Sequence, residues 1–338
     1  DEKAGDLAII YGKKKNKVLA IGLFDPLAII RIRIIHFGGP EKIDQAFFAE
    51  KLQLAFTRRE KIMQSETNAF RWVFGENDGF PGLILDNYDR HLVIKLYSSI
   101  WFAWLSDLIG VLGKNWNPKS IILRLNRKLQ VAPHTSFKDG SFLIGEAFNG
   151  DVEFLEHGVM FKANLIKGHK TGFFLDHRHN RLAIQKLAKN ATVLDLFSYT
   201  GGFSIHALAG GAQSVCSVDI SEKALKLAKE NALINDFENR MKYRCMDVFE
   251  FLQSDKNTYD LIIVDPPAFA SRNDQQAKAL KSYKKLFHLA MNRLNTGGTI
   301  LLASCSSHIS FSEFEHLIKS LISHSSSAWK ITHSTRHD

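Results

Sequence analysis

The second half of the chain alternates between short apolar runs and longer amphipathic segments. Strands are predicted where the apolar residues are consecutive, at 192–196, 214–218, 261–264 and 299–303. Helices are predicted between them, at 202–208, at 221–233 and from about 275 to 294. Strands separated by helices of this length pair in parallel through right-handed crossovers. The pattern therefore predicts an α/β domain over residues 163–338 with a mostly parallel, doubly wound sheet.

The first half has a different pattern, in which short strands predominate. Three strands are predicted near the start, at 8–10, 18–21 and 29–35. The run Lys13–Lys17 is predicted to form a solvated hairpin tip, and an amphipathic helix follows at 41–59. Residues 69–161 are again rich in strand patterns and carry no obvious chemistry. We therefore expect a small β-rich module over 1–40, followed by a linker helix and an α+β middle domain over 41–162.

The composition of this 338-residue chain is that of a globular protein with more than one domain, with 45% hydrophobic and 23% charged residues. The net charge is +9 and the sequence pI is about 9.3. This basic balance favours an anionic partner, because Lys and Arg displace counterions from phosphates. The charge alone does not distinguish RNA from DNA, or a nucleic-acid partner from a basic surface without one.

Neither a membrane span nor a disulfide framework is predicted. The most apolar stretch, Leu92–Leu112, is interrupted by Lys95 and Asp107, which indicates a strand followed by a helix with one buried face. The chain contains three cysteines: Cys216, Cys245 and Cys305. They form no Cys-x-x-Cys pair, which argues against disulfides and against a structural zinc site. We therefore expect a cytoplasmic protein with no metal.

Acidic residues follow three successive predicted strands. Asp195 lies at the end of the strand at 192–196, before a loop with two glycines that leads into a helix. Asp219 follows the next strand, and Asp247 follows a third, short strand. Ligands of doubly wound sheets bind beyond the strand ends, where acids suit ribose hydroxyls or an adenine amino group. Each feature also has a structural explanation, since the loop could serve packing and Asp219 could stabilise a helix N-terminus.

The glycine loop favours S-adenosylmethionine over a nicotinamide cofactor. It is not a Gly-x-Gly-x-x-Gly loop, and no basic residue stands where a pyrophosphate would lie. Asp195 would repel a phosphate but would suit a cationic amino-acid group, while the helix N-terminus suits a carboxylate. The sequence therefore predicts a methyltransferase that uses S-adenosylmethionine.

The motif Asp265-Pro266-Pro267-Ala268-Phe269 directly follows the predicted strand at 261–264. The prolines fix the backbone, and Asp265 and Phe269 are expected to face the crevice. In enzymes that act on a nucleobase, such a loop hydrogen-bonds the base while an aromatic side chain stacks on it. The alternative is that the prolines only form a stiff exit from the strand.

Cys305 lies at the end of the last predicted strand. Carbon 5 of cytosine is a poor nucleophile, and a thiolate that adds to carbon 6 enables it to attack a methyl group. A cysteine at a strand end is more often a small buried hydrophobe. The place of Cys305 opposite the Asp-Pro-Pro loop favours a catalytic role, whereas Cys216 is predicted to be core and Cys245 structural.

Residues 170–181 form a basic run, Lys-Thr-Gly-Phe-Phe-Leu-Asp-His-Arg-His-Asn-Arg, before the first strand of the α/β domain. By itself the run could be the start of a helix with Asp176 as its cap. Its position would also let it close over the cofactor, and then Asp176 and Arg178 would belong to the cofactor site.

Together these motifs resemble the ribosomal RNA large subunit methyltransferase I family. The similar segments cover most of the chain from about Leu7: 75–83, 170–181, 195–202, 218–221, 265–269 and 304–306. The resemblance implies a PUA domain, a middle domain and a Rossmann-like class I methyltransferase domain that makes 5-methylcytosine in large-subunit ribosomal RNA. It also implies that the PUA module lacks its opening strand here and that the final strand of the relatives is absent.

The resemblance implies roles for residues at the predicted strand ends. Cys305 is the implied nucleophile and Asp265 orients the base, together with Pro266, Pro267 and Phe269. The implied cofactor site consists of Asp176, Arg178, Asp195, Phe197, Ser198, Tyr199, Gly201, Asp219, Ile220 and Asp247. A related branch of the family methylates guanine without a cysteine, so the identity of the base depends largely on Cys305. The best-known members also have a second cysteine in the segment where this chain has Ser-Cys-Ser-Ser.

Two other functions stay open at this point. The same scaffold could methylate guanine or an exocyclic base amine, for which Cys305 would not be needed. A non-catalytic RNA-binding or ribosome-assembly protein could keep a degenerate cofactor fold, although the run of acids counts against it. A nicotinamide oxidoreductase is the least favoured function. The oligomeric state is open, with a homodimer among the expected states.

Overall fold

The chain forms two units, Asp1–Leu175 and Asp176–Asp338, in a computed structural model. The structure describes residues 2–13, 17–131, 137–270, 272–306, 308–325 and 327–335. The predicted hairpin tip falls largely on Lys14, Lys15 and Asn16, which lie outside the described residues.

The first unit begins with a three-stranded antiparallel sheet, in agreement with the predicted β-rich module. Its strands are β1 (Leu7–Tyr11), β2 (Val18–Phe24) and β3 (Ile32–Phe37), with β2 in the centre. The prediction of a strand at 29–35 was wrong by three residues at its start. The Asp25 carboxylate accepts the N–H of Leu27 at 3.2 Å and forms a turn before β3. Ile29 and Ile30 lie in this turn and are exposed, so their apolar character does not mark a strand.

The rest of the first unit mixes helices with a second sheet and a hairpin. Its elements are α1 (Gln45–Thr57), α2 (Glu60–Met63), β4 (Ala69–Phe74), β5 (Leu83–Tyr88), β6 (His91–Leu96), α3 (Leu105–Trp116), β7 (Ser120–Leu125), α4 (Arg127–Gln130), β8 (Ser141–Ile144), β9 (Asp151–Glu156) and β10 (Val159–Asn164). Strands β4 to β8 form one sheet in that order. Strands β6 and β7 pair in parallel through the crossover helix α3, and the other neighbours in this sheet are antiparallel. Strands β9 and β10 form the hairpin.

Helix α1 begins at Gln45, later than predicted, because the preceding residue caps it. One carboxylate oxygen of Asp44 accepts the N–H groups of Ala46 at 2.9 Å and Phe47 at 3.2 Å. An acidic N-cap satisfies two of the free N–H groups at a helix start. Residues 41–44, which the pattern assigned to the helix, therefore precede it and are not helical.

The apolar stretch Leu92–Leu112 does not form one long helix. It contains most of β6, a 3₁₀ turn at Ser99–Trp104 and the first part of α3, as predicted. Trp101 is fully buried in the core of the first unit, and its indole N–H donates to the carbonyl of Pro81 at 2.8 Å. Within the described part of the chain, no helix has the length and apolar character needed to cross a membrane.

The second unit is the α/β domain that the alternating pattern predicts. Its elements are α5 (Arg178–Leu187), β11 (Thr192–Leu196), α6 (Gly202–Ala209), β12 (Ser214–Asp219), α7 (Glu222–Leu233), β13 (Met241–Cys245), α8 (Val248–Ser254), β14 (Tyr259–Val264), α9 (Gln276–Met291), β15 (Leu294–Leu302) and α10 (Phe311–Ser323). The strand order is β13-β12-β11-β14-β15, and every neighbouring pair is parallel. The predicted fold class is confirmed. The strand order reverses at β11, which places a crevice beyond the ends of β11 and β14.

Strand β15 begins five residues earlier than the predicted strand at 299–303. Gly297 and Gly298 lie inside it, and Gly297 has a φ of +79°. The pairing with β14 shifts register between Tyr259 and Leu261, which identifies a bulge at this place. The glycines indicate a turn in the sequence, but here they let the strand continue through an irregular pair.

Candidate active site

The predicted site residues of the second unit gather at the carboxyl ends of its parallel strands. Asp195 lies near the end of β11, Asp219 ends β12 and Asp265 directly follows β14. The last residues of β14 and β15 pair with each other, so the segments that carry Asp265 and Cys305 leave the sheet side by side. Parallel pairing thus brings together residues that are far apart in sequence.

The loop between β11 and α6 has an unusual backbone. Phe197 has a φ of +60° and Tyr199 a φ of +48°, in the left-handed region that L-residues rarely adopt. Gly201 has a φ of +79°, and a Cβ there would lie 3.1 Å from the Cβ of Ala228. Each left-handed non-glycine residue costs on the order of 1–3 kcal/mol, and such strain concentrates at ligand sites. This strained backbone therefore indicates a ligand site and not only a turn.

Two hydrogen bonds fix this loop in place. The N–H of Ser198 donates to the carbonyl of Val218 at 3.1 Å. The side-chain amide of Asn231, which is fully buried on α7, donates to the carbonyl of Thr200 at 3.0 Å. The sequence gives no sign of this role for Asn231, because an asparagine inside a helical pattern does not reveal its tertiary partner. The loop shape is thus set by the protein itself.

Asp219 connects the loop to β12. One of its oxygens accepts the N–H of Tyr199 and the other accepts the N–H of Ser221, both at 2.8 Å. Ser221 itself caps α7, with its hydroxyl accepting the N–H of Ala224. The carboxylate keeps free lone pairs on both oxygens, which suits two ribose hydroxyls. Next to it, Ile220 is 73% exposed and offers an apolar surface to a flat ring.

Three buried polar atoms around the loop have no hydrogen-bond partner among the described residues. They are Asp195 Oδ1, Ser198 Oγ and Thr200 Oγ1. Buried polar atoms are rarely left without a partner, so a polar ligand is the natural explanation. An acid and two hydroxyls fit the amino-acid end of S-adenosylmethionine, where the acid would accept from the ammonium group and the hydroxyls would donate to the carboxylate.

The carboxyl group of Asp195 has a pKa well above its ordinary value. Burial raises the pKa of its carboxyl to about 7, and the hydrogen bonds from Ser204 oppose this shift. The negative charges of Asp265 and Asp219 raise the pKa further. The backbone N–H and hydroxyl of Ser204 both donate to Asp195 Oδ2, at 3.1 and 2.6 Å. A bound cation beside Asp195 would favour its charged form.

The Asp195→Asn variant is expected to melt at a higher temperature than the unsubstituted protein at and above neutral pH. The folded carboxyl has a pKa of about 7, whereas its ordinary value is 3.8. This raised pKa favours the folded state at low pH, and the contribution is lost as pH rises through 7, on the order of 4 kcal/mol in total. Asparagine keeps an acceptor for Ser204 and has no charge to bury. Melting curves of the cofactor-free chain between about pH 5 and 8 should show the difference growing up to pH 7 and constant above. Parallel pH profiles for the two proteins would contradict the expectation.

Asp247 and Asp176 lie directly before or within the first turns that follow β13 and precede α5. Asp247 follows β13, as predicted, and its Oδ1 caps α8 by accepting the N–H of Phe249 at 2.8 Å. Its assignment to the cofactor stays a prediction. Asp176 lies in a 3₁₀ turn at Leu175–His177, and His177 occupies the N-cap position of α5. The assignment of Asp176 to the cofactor site also stays a prediction. Arg178 is the first residue of α5.

Cys305, Asp265 and His177 form a cluster at the end of β14 and β15. The Sγ of Cys305 lies 3.6 Å from Asp265 Oδ1 and 4.0 Å from His177 Nε2. His177 Nε2 lies 3.5 Å from Asp265 Oδ2. Cys305 is exposed, whereas His177 is buried, with its ring edge against Phe203. The structure thus brings together the two predicted catalytic residues and adds a histidine.

Hydrogen bonding indicates which nitrogen of His177 carries the proton. The side-chain amide nitrogen of Asn180 lies 3.3 Å from His177 Nδ1. Thr335 donates its hydroxyl to the amide oxygen of Asn180 at 3.1 Å, which orients that amide. Because an amide N–H can only donate, Nδ1 accepts and a neutral His177 carries its proton on Nε2. The protonated nitrogen of His177 is then the one that lies beside Asp265 and the Cys305 sulfur.

The same cluster offers donor atoms for a metal ion. The ligand atoms of His177, Asp265 and Cys305 all lie within 4.8 Å of one another. Imidazole, carboxylate and thiolate are ligands that Zn²⁺ accepts. The sequence predicts no metal because it has no closely spaced pair of cysteines. The three residues of this cluster come from distant segments of the chain, so no spacing motif in the sequence marks them as possible ligands.

The remaining predicted base-site residues surround Asp265. Pro266 is buried and Pro267 is exposed. Phe269 is half-buried, and its ring centroid lies 4.8 Å from that of Tyr283, which is fully buried on α9. Part of Phe269 therefore serves packing, and its role in stacking on a base stays a prediction.

The other two cysteines differ from each other in exposure. Cys216 is buried in β12, as predicted, and burial raises the pKa of its thiol. Cys245 is exposed at the end of β13, and its structural role stays a prediction. Strand β13 is at the edge of the sheet, and three of its five residues are exposed. An edge strand buries fewer of its side chains than a central one, which the sequence pattern does not reveal.

The sequence is similar to known methyltransferases. The family described as S-adenosylmethionine-dependent methyltransferase matches residues 126–317. A ribosomal RNA large subunit methyltransferase from Deinococcus radiodurans is 38% identical over 343 residues, which cover 98% of this chain and 84% of the relative. A ribosomal RNA large subunit methyltransferase I from Aliivibrio fischeri is 36% identical, over 93% of this chain and 80% of the relative.

The fold is also similar to that of a solved structure. The crystal structure of SMU.776 complexed with SAH matches with a TM-score of 0.81 at 23% identity. The match covers 96% of this chain and 83% of that chain. At this identity the likeness shows that the two proteins share a fold.

Proposed function

The chain belongs to the ribosomal RNA large subunit methyltransferase I family of S-adenosylmethionine-dependent enzymes, and from this premise we propose that it methylates carbon 5 of a cytosine in large-subunit ribosomal RNA. The observation that supports this chemistry best is the contact of the exposed Cys305 thiol with Asp265 at the end of the sheet. Methylation of a ring nitrogen or an amine would not need a thiol at this place.

The side chains around Cys305 suit nucleophilic attack on a pyrimidine. Asp265 accepts the proton of the thiol through Oδ1, and the thiolate then adds to carbon 6 of the cytosine. His177 Nε2 lies 3.5 Å from the other oxygen of Asp265, so a protonated nitrogen stands beside this carboxylate. Protonated Asp265 can pass its proton to N3 of the ring, which makes carbon 5 nucleophilic.

S-adenosylmethionine supplies the electrophilic methyl group when it is bound. The unpartnered atoms of Asp195, Ser198 and Thr200 would hold its amino-acid end, and Asp219 its ribose. Once carbon 5 carries the methyl group, a base removes the carbon 5 proton, the electron pair re-forms the double bond between carbons 5 and 6, and the Cys305 sulfur leaves as a thiolate. The proton on N3 returns through Asp265 to this thiolate, which restores the aromatic ring and the thiol. Cys305 is regenerated in each cycle.

An RNA substrate is consistent with the names of the relatives and with the net charge of +9. The relatives act on large-subunit ribosomal RNA by name, and we assign the same substrate class to this chain. A cytoplasmic location and a homodimer remain predictions.

The function is tested by transfer of a labelled methyl group to large-subunit RNA made without modifications. The label is expected in 5-methylcytosine after the RNA is digested to nucleosides and separated. Label in a guanine or in an exocyclic amine would contradict the proposal and would support a methyltransferase that does not need Cys305 as a nucleophile. Tight RNA binding without any transfer, to free RNA or to the ribosomal particle, would support a non-catalytic assembly protein.

A further inference from the structure

A basic pocket of about 350 Å³ lies in the first unit, in the part of the chain where the sequence shows no obvious chemistry. Its wall is made by the ends of β6 and β7, by α4 and by residues 167–170. Five lysine and arginine side chains and one histidine line it: Lys95, Arg124, Arg127, Lys167, Lys170 and His169. Its lining residues, all of them described in the structure, include no aspartate or glutamate.

Two of the cations that line this pocket have defined partners. Arg124 pairs with Asp139, which lies outside the lining, through Nε and Oδ1 at 3.1 Å. Lys95 is half-buried and its ammonium donates to the carbonyl of Lys170 at 3.1 Å. Burial lowers the pKa of Lys95, and the charge of Arg124 lowers it further. Like charges held this close repel one another, so an anion in the pocket would relieve a cost that the folded protein otherwise bears.

The loop that carries the pocket lysines is tightly constructed. Asn164 Oδ1 accepts the N–H of Lys167 at 2.6 Å, and the Asn164 carbonyl accepts the N–H of Gly168 at 2.9 Å. A Cβ on Gly168 would lie 2.4 Å from the Asn164 carbonyl oxygen, so only glycine fits there. Lys170 has a φ of +52°, in the left-handed region. This backbone presents Lys167 and Lys170 from a fixed position, as an anion site requires.

An exposed aromatic ring lies on the same pocket. Tyr97 lines the pocket and is 46% exposed, which is unusual for a large ring. The ammonium of Lys95 lies 5.6 Å from its centroid. A basic groove beside an exposed aromatic ring is the arrangement by which proteins hold single-stranded nucleic acid, with bases stacked on the ring.

We propose that this pocket binds the sugar–phosphate backbone of single-stranded RNA, with Tyr97 stacking on one base. The proposal rests on the RNA substrate assigned above and names a place where the protein holds that RNA. In this proposal the lysine and arginine side chains from β6, β7, α4 and the 167–170 loop surround one or two phosphates. Stacking on the Tyr97 ring does not select a particular base.

The test is RNA binding by the full chain, measured by fluorescence anisotropy with a single-stranded oligoribonucleotide over a range of salt concentrations. The double variant Arg127→Gln/Lys167→Gln changes two exposed residues of the pocket. We expect it to bind about ten-fold more weakly and to lower the slope of log affinity against log salt by about 1.4. Tyr97→Ala should weaken binding about ten-fold, whereas Tyr97→Phe should bind normally because the ring is kept.

A matched control removes two charges from the same unit outside the pocket. Lys61 and Lys114 are exposed, and Lys61→Gln/Lys114→Gln should leave both affinity and salt slope nearly unchanged. If the control and the pocket variant lose the same affinity, the effect is one of net charge and the pocket proposal is wrong. Unchanged binding by the pocket variant and by Tyr97→Ala would also overturn it.

The experiments distinguish failure of the pocket proposal from failure of the proposed function. Methyl transfer to RNA by the pocket variant should show a raised KM for RNA with kcat unchanged. If the unsubstituted chain methylates RNA but the pocket variants have unchanged KM and affinity, the pocket proposal fails alone. If the unsubstituted chain neither binds nor methylates RNA, the proposed function fails and the pocket proposal fails with it.

Discussion

Replacing Cys305 with alanine is expected to abolish methyl transfer, with kcat lowered by about 10⁴-fold or more. Without the sulfur, no group in the cluster can add to carbon 6, and carbon 5 of an unactivated cytosine does not attack a methyl group at a useful rate. Cys305 is exposed, so its loss creates no cavity in the core, and melting temperature and cofactor affinity should stay close to those of the unsubstituted chain. Labelled methyl transfer to RNA, calorimetric titration with S-adenosylmethionine and thermal melting measure the three quantities.

Cys245→Ala is the matched control for this prediction. Cys245 is also exposed, and it is the last residue of a strand in the same sheet. Its Sγ contacts the backbone carbonyl of Ile220 at 3.6 Å and no side chain of the Cys305 cluster. The control should therefore keep its activity. Activity of Cys305→Ala within a few-fold of the unsubstituted chain would reject the thiol mechanism and would favour methylation of guanine or of an exocyclic amine.

The sequence predicts the central strands and helices of the second unit closely because each has a strong local pattern. The strand at 192–196 has the predicted bounds, and α7 differs from its prediction by one residue at its start. The misplacements occur where local and tertiary signals disagree. Ile29 and Ile30 look like a strand but lie in a turn formed by Asp25, and Gly297 looks like a turn but lies inside β15. The nearby Asp25 side chain decides the local structure in the first case, and the pairing of β15 with β14 decides it in the second.

The site was predictable only where chemistry follows from position in the fold. Acids at the ends of parallel strands meet at one edge for any such sheet, so Asp195 and Asp219 could be selected from the sequence alone. His177 could not, because it comes to Cys305 across 128 positions of sequence. Asn231 and the basic pocket were missed for the same reason. The pocket lysines and arginines lie on four separate segments and look like ordinary solvated charges in the sequence.

The second large effect is expected for Asp219→Asn, which should raise the dissociation constant for S-adenosylmethionine about 100-fold. Asparagine replaces a carboxylate oxygen by an N–H₂ group, so one of the bonds from Tyr199 and Ser221 becomes a clash between donors. One charge-assisted bond to the loop and one to a ribose hydroxyl are each worth about 1.5–3 kcal/mol. Tyr199 is held at a strained φ of +48°, and the loop should relax once this bond is lost. Calorimetric titration with the cofactor measures the constant without requiring activity.

A variant that removes the same charge elsewhere separates this contact from a general electrostatic effect. Glu315 is a half-buried residue of the second unit, on α10, whose side chain is 43% exposed and whose carboxylate pairs with Lys319 one turn further along the helix. Glu315→Gln should bind the cofactor normally, because a surface pair within one helix contributes less than about 1 kcal/mol and lies on no element of the loop. With saturating cofactor, kcat of Asp219→Asn should recover to within a few-fold, since Cys305 and Asp265 do not change. An unchanged dissociation constant in Asp219→Asn would show that this carboxylate only ties the loop to β12, and the ribose would then need another acceptor at the sheet edge.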